Sequence, residues 1–81
     1  MKMRAKLKIQ SVTKYETSEV LKFNAVFPSG PYPADGSDEN NTYAKFTPSA
    51  SLDMTIANPA LIGQFNVGDT FYVDFTPAGA K

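Results

Sequence analysis

The sequence predicts an all-β fold, a small antiparallel barrel of OB-like or SH3-like kind with five to six strands and one short helix near residues 59–65. Three observations carry this expectation. Apolar and polar residues alternate with period two along most of the chain, as on half-buried strands. Clusters of Gly, Pro, Asn and Asp punctuate those segments at short intervals, as turns do. A five-stranded open sheet would also expose two edges, which closure into a barrel removes.

Taken in order, Met3, Ala5, Leu7 and Ile9 alternate with Arg4, Lys6, Lys8 and Gln10, a strand with one apolar face and one basic row. Val12, Thr13 and Tyr15 continue it past a bend at Ser11, and Glu16-Thr17-Ser18-Glu19 supplies a turn. Leu21, Phe23, Ala25 and Phe27 then form the apolar face of a second, antiparallel strand. Residues 28–41 hold three Pro and two Gly with almost no apolar side chains, which reads as a long exposed loop. Thr42 to Thr47 forms a short strand ended by Pro48, and Ala50, Leu52, Met54 and Ile56 mark another. Asn58 before Pro59 is a good cap for a helical turn through Phe65. Gly68-Asp69 makes a turn, and Phe71, Val73 and Phe75 alternate with Tyr72 and Asp74 in the last strand.

Size and composition set the function classes. The 81 residues, 8.8 kDa, fit one domain with one modest core. With no Cys and no His there is no disulfide, thiolate nucleophile, imidazole base or Cys/His zinc site. No apolar run is long enough for a membrane helix, and no apolar stretch follows the basic start as in a secretory signal. The net charge is zero but unevenly spread. Six cations between Lys2 and Lys22 face only Glu16 and Glu19, whereas residues 35–74 carry six carboxylates against Lys45.

The basic row Lys2, Arg4, Lys6 and Lys8 is one candidate site. Its cations stand about 6.6–6.8 Å apart on one strand face. That spacing suits phosphates of a single-stranded nucleic acid, with Tyr15, Tyr43 or Tyr72 offering rings for stacking. The same row would equally protect a sheet edge, or pair with Asp53 or Asp74 on neighbouring strands. The loop Pro31-Tyr32-Pro33, with Asp35 beyond it, is the other candidate. A Tyr between two prolines is a pre-ordered contact residue for a partner, unless it folds back to plug the barrel. The acidic run Asp35 to Asn41 lacks the spacing of a calcium loop, Asn40-Asn41-Thr42 is a chance sequon, and no glycine-rich phosphate loop or carboxylate pair in a cleft is evident. The expectation is therefore a protein without catalytic residues, metal or cofactor.

The segments Thr47-Pro48-Ser49-Ala50-Ser51-Leu52, Asn58-Pro59-Ala60, Gln64-Phe65 and Gly68 through Pro77 resemble a group of short uncharacterised proteins encoded in tailed-bacteriophage genomes. The likeness runs over nearly the whole chain, from Ser11-Val12-Thr13 in the basic first strand to Tyr72-Val73-Asp74-Phe75, and the insertion around Tyr32 is longer than in that group. It implies a phage product acting in the cytoplasm of the infected bacterium or in the virion, and brings no activity or binding residues. The leading expectation is a non-catalytic module docking a host or virion protein, with homo-oligomerisation plausible for so small a core. The alternatives are a single-stranded nucleic-acid binder using Lys2 to Lys8, and a sponge for a nucleotide signal.

Overall fold

Four of the alternating segments are strands in the computed structural model, which describes residues 2–28 and 30–79. They are β1 (Met3–Lys14), β2 (Glu19–Ala25), β3 (Ser51–Ile56) and β4 (Thr70–Phe75). All neighbours are antiparallel, in the order β3-β2-β1-β4, and the sheet curls into a half-barrel. Ser29 of the predicted loop lies outside the described residues.

The register sorts side chains cleanly. Ala5 stands opposite Val73, Leu7 opposite Phe71 and Ala25, Ile9 opposite Phe23, and Phe23 opposite Leu52. These residues share one apolar face. Arg4, Lys6, Lys8, Lys22, Asp53, Tyr72 and Asp74 share the other. The pairing slips between Ile9 and Ser11, so Gln10 is an extra residue on β1. Such a bulge bends the strand and shifts the side-chain phase by one. That is why Val12, not Ser11, resumes the apolar face opposite Leu21.

The core is small: Ala5, Leu7, Ile9, Leu21, Phe23 and Ile56 are buried, with Val12, Tyr43, Leu52, Phe65 and Val73 packed at its margin. Residues 57–69 cross the apolar face at the Ile9 end, where Phe65 tilts onto Phe71 at 5.8 Å between ring centroids.

Three expectations give way here. The segment at 59–65 is a pair of turns, not a helix: Leu61 donates to the Asn58 carbonyl and Gln64 to that of Leu61, each three residues back. Asn58 does cap, its Oδ1 accepting the Ala60 N–H at 3.0 Å. However, Gly63 takes φ +85° and stops the winding, and a single turn lacks the length to sustain itself. Residues 42–47 form turns and bends, not a strand, with Phe46 at φ +59° donating its N–H to the Gly36 carbonyl. β2 ends at Ala25, leaving Phe27 59% exposed instead of on the apolar face. Four strands, not five or six, are therefore formed among the described residues. β3 and β4 each have one hydrogen-bonded neighbour.

Candidate docking surface

The apolar face is covered at one end and open at the other. Between Tyr43 and the β3 and β4 edges lies a groove of about 250 Å³ lined by Met3, Ala5, Leu7, Ala50, Leu52, Val73 and Phe75, with Ser49 and Ser51 at its rim. Among the described residues no charged side chain lines it. Phe75 there is 47% exposed; further along the same face, Phe71 beneath Phe65 and Met54 opposite Leu21 are 38% and 44% exposed. A bare apolar strip on a sheet marks an interaction surface or an aggregation hazard. The Tyr43 hydroxyl, buried at the groove wall, has no hydrogen-bond partner among the described residues, and burial pushes its phenol above the usual range.

The polar face treats the predicted basic row unequally. Arg4 grips Asp74 through two hydrogen bonds, Nε to Oδ1 at 2.6 Å and Nη2 to Oδ2 at 3.1 Å. Its guanidinium also lies 4.3 Å from the Tyr72 ring centroid. The hydrogen bond from Arg4 holds the Asp74 carboxyl below the usual carboxylate range. Tyr72 is in turn tied down, its hydroxyl donating to Asn40 Oδ1 at 3.1 Å. Arg4 and Tyr72 are thus occupied with each other and with Asp74. Lys2 and Lys8 are exposed and Lys6 is half-buried on the same row, while Tyr15 sits past the end of β1 in the hairpin turn. Lys22 stands opposite Asp53 across the β2–β3 pair. Among the described residues Lys6, Lys8 and Lys22 make no ion pair.

The proline-rich loop is built, not slack. Tyr32 meets Phe46 edge-on at 5.8 Å, and Phe46 covers Gly36 so closely that a Cβ there would stand 2.5 Å from the ring. Tyr32 therefore packs within its own loop and does not plug the sheet. Burial beside Phe46 raises its phenol pKa. Asp35 accepts the Ser37 N–H at 3.0 Å, which lowers its carboxyl pKa. Pro31 and Pro33 are exposed on either side of Tyr32.

Two residues that matter were not singled out by the sequence reading. Asn41, 1% exposed, stands in for strand: its Oδ1 accepts the Lys6 N–H at 3.0 Å and its Nδ2 donates to the Val26 carbonyl at 2.9 Å and to Asp38. With Thr42 bonded to Arg4 on either side, it completes β1 where β2 has departed. Glu19, also 1% exposed, accepts the Gly63 N–H at 3.0 Å and pins the 57–69 crossing to the sheet, with Lys14 Nζ 4.0 Å from its other oxygen. The period of β2 could have flagged Glu19, since it falls in phase with Leu21 and Phe23. Asn41, in a polar run, gave no such signal.

Comparisons of the chain with protein-family models, with curated proteins and with solved structures find no match.

Proposed function

We propose that the chain is a non-catalytic β-sheet interaction module that docks a protein on the open end of its apolar face. The uncharged groove between Leu52 and Phe75 carries this reading. Its shape and chemistry suit apolar side chains of a protein surface, and the ordered loop from Tyr32 to Phe46 adds a polar shoulder beside it. A partner strand or second layer would complete the half-barrel toward the OB-like or SH3-like closed form. With the resemblance to phage-encoded proteins, the partners open to this face are host proteins, virion proteins and further copies of the chain itself.

Affinity capture with wild type, Phe75→Lys and Lys8→Glu, quantified by mass spectrometry, tests the reading. A protein held by wild type and Lys8→Glu but lost with Phe75→Lys supports it. Partners indifferent to Phe75→Lys would sink it.

A second reading has one observation in its favour. Lys6, Lys8 and Lys22 share the polar face without ion pairs among the described residues, a set that could track a single-stranded nucleic acid. Three phosphate contacts would give a log–log salt dependence of slope about −2. Arg4 and Tyr72, engaged with Asp74 and Asn40, weaken it. Absence of single-stranded DNA binding at low salt would remove it.

A further inference from the structure

Domains are built from at least two packed layers, because a sheet with one apolar face must bury that face against something. Here the described residues supply one curled layer and a partial cover. The molecule is 16 Å thick against 48 and 35 Å in its other extents. Its radius of gyration is 14.8 Å, where a compact chain of this length has about 12 Å. The accessible surface is 5860 Å², whereas a folded monomer of this mass shows about 4,800 Å². The excess over the whole chain, about 1,000 Å², is of the order of the roughly 800 Å² that each partner of a stable standard-sized complex buries, and the half-exposed Phe75, Leu52 and Val73 contribute to it.

We infer that the occupant of this face is a second copy of the chain, packed across a two-fold axis through the groove of Met3, Leu52, Val73 and Phe75. This rests on the docking reading above and names its partner. A two-fold contact brings one patch against itself, so the patch must tolerate its own chemistry. This one does: with no charged lining residue among those described, two copies meet there without burying like charges, and the zero net charge leaves no net long-range repulsion. The second layer also adds to a core that six buried side chains leave small.

Light scattering after size exclusion, across a range of protein concentrations, tests the inference. Wild type is expected at about twice 8.8 kDa, with a melting temperature that rises with concentration as mass action requires. Phe75→Lys raises the dissociation constant at least tenfold while keeping strand-type dichroism, and Lys8→Glu on the opposite face leaves it unchanged. Should Phe75→Lys fail to fold, the concentration dependence of the wild-type melting temperature still decides. A wild type that stays at the monomer mass overturns the inference. Anilinonaphthalene sulfonate then separates the two levels: bright binding lost in Phe75→Lys leaves the face open to a different protein, whereas no binding fells the docking reading as well.

Discussion

The two ends of one apolar face make an instructive contrast. At the Ile9 end, Ile9, Leu21 and Ile56 are all under 10% exposed; there the 57–69 crossing packs Phe65 against the core and Glu19 ties it to the sheet. At the Phe75 end the same strands carry side chains of the same kind, yet Phe75 is 47% exposed and Leu52 and Val73 are only half-buried. The alternation is equally good at both ends. What differs is the cover. Exposure here is set by the cover and not by the strand.

The sharpest way to probe that contrast is the same truncation at both ends. Leu21→Ala removes a side chain 1% exposed and is expected to cost about 2–5 kcal/mol, while Leu52→Ala, half-buried in the single chain, costs about half as much. Urea unfolding at low protein concentration measures both, and equal costs would break the comparison. Asn41→Ala comes next. It strips the Lys6 N–H and the Val26 carbonyl of their partner, and about 2–3 kcal/mol is expected from chemical denaturation. Glu19→Ala unfastens the cover itself, at about 1–3 kcal/mol, with hydrogen exchange accelerated at Gly63 and Phe65 ahead of the strands. If the exchange rises uniformly instead, Glu19 is not the tie.

The smallest effect lies on the polar face. Asp74 has a folded-state pKa lowered by Arg4, so its contribution to stability is present above the ordinary carboxylate value and fades as pH falls through the lower folded value. Arg4→Gln should bring the Asp74 carboxyl back toward the usual range, read by carbon-detected NMR titration, and flatten the acid limb of the stability curve. An unchanged titration would mean that Arg4 is not the cause.

Much of this architecture was legible in the sequence. Strands β1, β2, β3 and β4 follow from residues alternating with period two, and the three-residue step from Ile9 to Val12 is the trace of the bulge at Gln10. The expected strand at 42–47 failed for a reason no local pattern carries: Asn41 and Thr42 already satisfy β1, using a side chain as well as backbone. The expected helix failed because one glycine in so short a segment decides the outcome. Of the candidate sites, the basic row was legible as a row, and so was its pairing with an acidic neighbour such as Asp74; which cation would take that partner was not, since the Arg4–Asp74 contact is set by strand order across 70 residues. The groove was half legible. Phe71, Val73 and Phe75 announce which face is apolar, but alternation says nothing about how far a crossing loop will reach over it.

Methyl chemical shifts followed over a wide dilution series decide whether the open end meets a second copy, because they report the two ends of the face in one spectrum. With self-association at the open end, the methyls of Met3, Leu52 and Val73 move with concentration while those of Ile9, Leu21 and Ile56 stay fixed. Static shifts at the Phe75 end, or movement concentrated at the covered end, would contradict it.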